Sequence, residues 1–187
     1  MMIDLCNRLI DNDLDKKDLL ERVEIKKTTE EDFDSICRTL AKAFDLESPG
    51  EAAMQLLHSH VLIDESIKLV DKENGDIYGL LMFCEYPVSV GSPLLNINKN
   101  MAEFLDKFKQ VNGHSFVIDD RLRGVGLDKK MLFHNIKHLA KNYDMIWAGV
   151  EIDLKSHHYW ERLGFIEIFR IPEAVFYMLP FNEKLIN

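Results

Sequence analysis

The chain is poor in everything that would hold a protein together covalently or in a membrane. Its 187 residues include only three cysteines, Cys6, Cys37 and Cys84, odd in number and far apart, with no metal-like spacing. That usage excludes a disulfide framework, recommends no metal site and fits a reduced compartment, so a cytoplasmic location is expected. No run of 18 uncharged apolar residues occurs, which leaves no candidate for a membrane-spanning helix. The opening MMIDLCNRLIDNDLDKK sets acids where a secretory signal needs an unbroken apolar stretch, so export is not expected. Five prolines and nine glycines form no linker-like cluster and no internal repeat is found, so one domain is expected. Hydrophobic residues at 47% exclude a disordered chain.

Positive charge is also scarce. Against 32 Asp and Glu there are 23 Lys and Arg, a net charge of −9. Such a surface repels nucleic acid and anionic membrane, and neither is expected as a partner. The basic residues that exist are concentrated. From Arg121 to Asn142, six of them face a single acid, Asp128, so this segment carries +5 and the rest of the chain −14. A small polyanion would have somewhere to sit.

Hydrophobic periodicity predicts the elements. Residues 3–22 read as a poorly patterned helical extension to a domain spanning 23–187. Val23–Lys27 is a strand. Thr28 with Glu31 forms a capping box for the apolar stripe Phe33, Ile36, Cys37, Leu40, Ala41 and Phe44. Ser48, Pro49 and Glu51 open a second helix. A strand from Ile67 meets the Asn74-Gly75 turn and returns as Ile77–Tyr86, apolar on both faces and therefore central. Residues 88–112 form a long excursion with a helix around Met101–Lys109. There follow a strand at His114–Asp119, a basic helix at Gly126–Lys141, a strand at Met145–Val150, a helix at Lys155–Leu163, and a strand pair at Phe165–Arg170 and Val175–Leu179. The fold class is mixed α/β: a central mixed sheet with antiparallel strands first, one late β-α-β crossover, and flanking helices.

The stretch that carries chemistry is Ile118–Leu132, IDDRLRGVGLDKKML. A strand runs into a turn with Gly124 and Gly126 and then into a helix. Glycines let backbone amides approach a ligand, and a helix N-terminus supplies unpaired N–H donors and a positive dipole end. That suits a pyrophosphate. A structural turn beside a solvated basic face fits the same residues.

The turn resembles motif A of the GNAT superfamily of N-acetyltransferases, R/Q-x-x-G-x-G/A. Arg121-x-x-Gly124-x-Gly126 fits it literally but sets Lys129 and Lys130 where the family buries leucines. Arg123-x-x-Gly126-x-Asp128 sets Met131 and Leu132 there instead and is preferred, because burying a lysine pair is costly. In that register Asp128 replaces a small residue and brings a carboxylate near the pyrophosphate. Tyr159-Trp160-Glu161-Arg162-Leu163-Gly164-Phe165 is similar to the family's closing signature F-Y-E-K-L-G-F. The resemblance as a whole, with both matches in order inside a fitting strand-helix sequence, covers about residues 23–180.

The resemblance implies an N-acetyltransferase with acetyl-coenzyme A as co-substrate and a small-molecule or peptide primary amine as acceptor. It implies coenzyme contacts at Val117, Ile118, Arg123, Gly124, Val125, Gly126, Leu127, Asp128, Lys129 and Asp153. The family often keeps a general base near strand ends, which here nominates Glu85 first and Glu151 second. In many relatives the signature tyrosine protonates the departing thiolate. Trp160 holds that position, its indole is too weak an acid, and Tyr159 is the remaining candidate. A non-catalytic acyl-coenzyme A-binding module on the same fold is the alternative. A homodimer stays open. Lys130, His134, Lys137 and Lys141 share one helix face, which for the last two reads as solvated. His157-His158 cannot both face one metal from a helix, and no metal is expected.

Overall fold

The structure, a computed structural model, describes residues 17–152 and 157–181. Seven strands form one sheet in the order β1-β2-β3-β4-β5-β7-β6. They are β1 (Val23–Lys27), β2 (Ile67–Asp71), β3 (Ile77–Cys84), β4 (Gln110–Ile118), β5 (Met145–Glu151), β6 (Ile166–Arg170) and β7 (Ala174–Pro180). Every neighbouring pair is antiparallel except β4 and β5, which are parallel. The expected mixed sheet with one crossover is therefore what forms.

Helices cover both faces. On one, α2 (Phe33–Ala43) and α3 (Pro49–His58) bury Ile36, Cys37, Leu40, Ala52 and Leu56 against Leu80 and Met82 of β3. On the other, α7 (Leu127–Leu139) buries Met131, Leu132 and Leu139 against Leu81, Phe83, Val111 and Ile146. The alternation of Leu80 and Met82 with Leu81 and Phe83 is why β3 had to be central. Helix α1, described over 17–22, joins the second face through Leu19, and its Arg22 pairs with the buried Asp71 at the end of β2. Most of the expected extension lies outside the described residues, as do residues 155 and 156 of the last expected helix, which is described as α8 (His157–Arg162).

Three expectations shift. The first cap moves by one residue: Thr29 starts the turn, with its N–H donating to Asp32 Oδ2 at 2.9 Å. Thr28 is buried, and its N–H and hydroxyl donate to Ser66 O and Ile63 O, which holds it beside the sheet edge. Strand β3 stops at Cys84, not Tyr86, whose hydroxyl instead donates to His58 O at 2.8 Å. Strand β4 starts four residues before His114. Its first residues are polar, which hid them from an apolar pattern, yet Gln110 is buried and satisfied: Oε1 accepts from Val88 N–H and Nε2 donates to Leu105 O, both at 2.8 Å.

Those two bonds also tie down the excursion. It folds as three short helices, α4 (Val88–Gly91), α5 (Leu94–Ile97) and α6 (Lys99–Leu105), rather than one near Met101–Lys109. Val88, Leu94, Ala102 and Leu105 pack on Met145, Trp147, Phe176 and Met178, covering the half of the sheet that α2 and α3 leave bare. Trp147 locks the arrangement. Its indole N–H donates to Tyr86 O at 2.7 Å and its ring lies against Gly91, where a Cβ would stand 2.7 Å from it.

Candidate active site

Strands β4 and β5 pair over three residues only, Gln110, Val111 and Asn112 with Met145, Ile146 and Trp147. Beyond these, β4 stays with β3 and β5 stays with β7, so the two strands part. The backbone groups that β4 and β5 would have exchanged lack strand partners there, a demand that something other than the sheet must meet. A cleft of about 680 Å³ occupies the gap, within the usual range for small-molecule sites. Gly113 and Ala148 keep its throat narrow in side chain, and Phe116, Val117, Ile118 and Phe44 line its walls.

The cleft runs to the glycine turn. Gly124 and Gly126 both sit at φ +77, and space is open within 4 Å of where either Cβ would be. Only glycine holds that backbone without strain, so the turn keeps its shape and leaves its ligand side bare. Gly126 caps α7, whose first backbone bond is Lys130 N–H to Gly126 O at 3.0 Å. Among the described residues no acceptor meets the amides of residues 124–129. Unpaired N–H groups in a turn and at the helix N-terminus it leads into are the donors that an anion cradle requires. Val125 and Leu127 anchor this loop by packing into the core.

Which arginine faces the cleft is settled by geometry. Arg123 lines it, with Nε donating back to Ile118 O at 3.2 Å and the guanidinium 2.9 Å from Asp120. Arg121 turns the other way and grips Asp119 through Nε and Nη2, which holds the Asp119 carboxyl below its ordinary range. Met131 and Leu132 are buried while Lys129 and Lys130 are exposed, the burial pattern of the preferred register.

Asp128 lines the cleft and faces the hydroxyl of Tyr159. That hydroxyl is buried and makes no hydrogen bond of normal geometry. Burial first, and then the Asp128 carboxylate, pushes its pKa up, making Tyr159 a weaker acid than an ordinary tyrosine. Trp160 packs between Phe116 of β4 and Phe165, with ring centroids 6.2 and 5.0 Å away, and thereby seats α8 on the sheet. Gly164, at φ +92, ends that helix as a left-handed cap.

The nominated carboxylates stand elsewhere. Glu85 is exposed, one residue past β3, at the end where β4 and β5 are joined. Glu151 is the exposed last residue of β5. Neither lines the cleft. Asp153 lies outside the described residues.

The titratable imidazole of His114, which no motif marks, does line the cleft. The register between β3 and β4 slips by one, Met82 facing Ser115 and Phe83 facing Gly113, so His114 is the extra residue of a bulge. Bulges re-aim side chains, and this one puts His114 into the cleft where the strands part. Its Nδ1 lies 2.8 Å from Ser115 Oγ and its Nε2 2.9 Å from Ser59 Oγ, at the C-terminal cap of α3. Burial lowers its pKa, keeping the ring neutral and able to take a proton at neutral pH. The one sequence hint was a polar Gly113-His114-Ser115 run inside a strand.

Among the described residues, no group of three or more His, Cys, Asp or Glu could hold a metal ion, and no helix is long and apolar enough to cross a membrane. No protein-family model and no curated protein matches the sequence. The fold has solved counterparts. It is similar to the GNAT family N-acetyltransferase YhbS from Escherichia coli in complex with CoA, with TM-score 0.62, 20% identity, and coverage of 89% of this chain and 85% of that one. It is similar to arylalkylamine N-acetyltransferase 2 from Aedes aegypti (TM-score 0.58, 16% identity, covering 86% and 99%). A third counterpart is the ribosomal-protein-S18-alanine N-acetyltransferase from Escherichia coli (TM-score 0.57, 16% identity, covering 86% and 94%).

Proposed function

We propose that this chain, which carries the GNAT N-acetyltransferase fold, binds acetyl-coenzyme A in the β4–β5 cleft and transfers its acetyl group to a primary amine. The observation that carries the reading is that the cleft reaches, at Gly124 and Asp128, the turn whose amides at 124–129 meet no acceptor among the described residues. The residues present fit the coenzyme. The open glycines admit a pyrophosphate, Arg123 and Lys129 add charge beside it, and the unpaired edge of β4 near Val117 and Ile118 offers amides to an extended pantetheine arm.

In this reading His114 accepts a proton from the acceptor ammonium, directly or through water, because an amine of pKa about 10.4 is mostly protonated at neutral pH. The free amine then forms a C–N bond to the thioester carbonyl. Backbone amides of β4 stabilise the oxyanion that develops. The C–S bond breaks, coenzyme A leaves as thiolate, and the second proton of the attacking nitrogen passes to that thiolate or to water, leaving a neutral amide. The thiol pKa, about 8.5, makes the thiolate a tolerable leaving group unaided. Tyr159, its acidity weakened by burial and by Asp128, gives the sulfur little more than a hydrogen bond.

The test is to incubate the full chain with acetyl-coenzyme A and a panel of primary amines and to follow free thiol. Amine-dependent thiol release is expected. Coenzyme A should also stabilise the protein thermally, by about 2.7 kcal/mol at a hundredfold excess over Kd. Stabilisation without amine-dependent release would make the chain a binding module instead, and the absence of both would remove the proposal.

A further inference from the structure

Beside the cleft lies a second concavity, of about 340 Å³, that no step of acyl transfer uses. Helix α2 presents Ser35, Arg38, Thr39 and Lys42 to it, spaced to fall on one helix face. Opposite stand Tyr78 and the turn that carries Asp119 and Arg121.

Arg121 is held in place by its neighbours. Its Nε and Nη2 donate to the two oxygens of Asp119 at 2.9 and 3.0 Å, and its guanidinium lies 5.1 Å from the centre of the Tyr78 ring. This bidentate pair neutralises Asp119 and leaves guanidinium donors over. Arg38 donates to Ser35 Oγ at 3.0 Å, and among the described residues neither Arg38 nor Lys42 pairs with a carboxylate. The second lining carboxylate, Asp76, accepts from Asn74 Nδ2 at 2.9 Å. Three cations thus converge, in a chain of net charge −9, on a polar hollow that holds two carboxylates, Asp119 and Asp76, and among the described residues neither Arg38 nor Lys42 is in salt-bridge contact with either.

We propose that this pocket is an anion site for a phosphate monoester. Two guanidinium groups and an ammonium match a dianion with three accepting oxygens better than a single carboxylate. The charge arrangement stands whether or not the cleft binds coenzyme A. The phosphate has two sources. The 119–123 turn walls both the pocket and the cleft, so the 3′-phosphate of a coenzyme A molecule in the cleft is one. A phosphate on a separate ligand is the other.

The experiment follows backbone amides of the isotopically labelled full chain during titration with inorganic phosphate, with and without saturating coenzyme A. The double variant Arg38→Ala/Lys42→Ala, at two exposed helix positions, is run in parallel. Phosphate should shift amides of 38–42, 75–78 and 119–121, and the variant should bind it about tenfold more weakly at those residues. Displacement by coenzyme A, with coenzyme A bound more tightly than 3′-dephospho-coenzyme A only in wild type, assigns the site to the coenzyme. Persistence of the phosphate shifts in the coenzyme A complex assigns it to a separate ligand. Unmoved amides at 38–42 and 119–121, or equal binding by the variant, overturn the proposal. Shifts confined to 124–129 do so too, while leaving the reading of the cleft intact.

Discussion

Strand β4 has two ends with opposite characters. At its start, Gln110–Asn112 bonds to β5, every polar group has a partner, and Trp147 wedges the excursion helices in place. At its finish the strand loses β5, acquires a bulge, and runs into a turn whose two glycines have open space where a Cβ would stand. The same strand is a clamp at one end and a binding edge at the other. Substitutions at the first end should therefore cost stability and spare binding, and those at the second should do the reverse.

The largest effect is expected at the bulge. His114→Gln should lower kcat by about a hundredfold or more, the range for loss of a general base, with coenzyme A affinity intact. Burial depresses the His114 pKa, so wild-type kcat/KM should keep its value at neutral pH and fall only below pH 6.5, a limb the variant lacks. Stability follows the same sign. The unfolded chain binds the proton more readily, so this histidine destabilises the fold as pH drops below 6.5, and the substitution should flatten that dependence. Glu85→Gln is the control and should leave the rate and its pH profile unchanged. A profile that moves with Glu85 rather than His114 returns the base to the joined end of the strands.

Next in size is Gly91→Ala, at the clamp. The new Cβ meets the Trp147 ring at 2.7 and 2.8 Å, and that ring is fixed by its bond to Tyr86 O. Overpacking should cost about 1–3 kcal/mol in a denaturant melt and leave coenzyme A affinity of the folded protein unchanged. Lost affinity at full folding would break the division of labour along β4.

Gly126→Asn probes the open end. Asparagine tolerates φ +77 better than other side chains, so the turn survives while its ligand side fills. Coenzyme A should bind about tenfold more weakly in calorimetry, with little change in melting temperature.

The smallest effect is expected from Tyr159→Phe. A hydroxyl whose acidity is already suppressed contributes little proton transfer, so kcat should fall by less than about tenfold. A hundredfold fall, with coenzyme A affinity unchanged, would restore Tyr159 as the acid.

The same division explains what could be read from the chain itself. Regular elements with one period were legible. The stripe of α2, the two-faced burial of β3 and the order of strands and helices all follow from hydrophobic spacing, and the glycine turn announced itself by composition. The excursion was not legible as three helices, because helices of four, four and seven residues are set by Pro87, Pro93 and Asn98 as caps and by tertiary contacts rather than by a period. The start of β4 was hidden because Gln110 and Asn112 are polar residues satisfied across the fold. His114 was hidden for a different reason. A bulge is a relation between two strands, and no spacing within one strand records it.

Titration of coenzyme A into the labelled protein, read amide by amide, tests the central claim most directly. Binding should move the amides of 113–118 and 124–129 and leave those of 110–112 and 145–147 in place. No binding, or the largest shifts at the joined end of β4 and β5, would contradict the account.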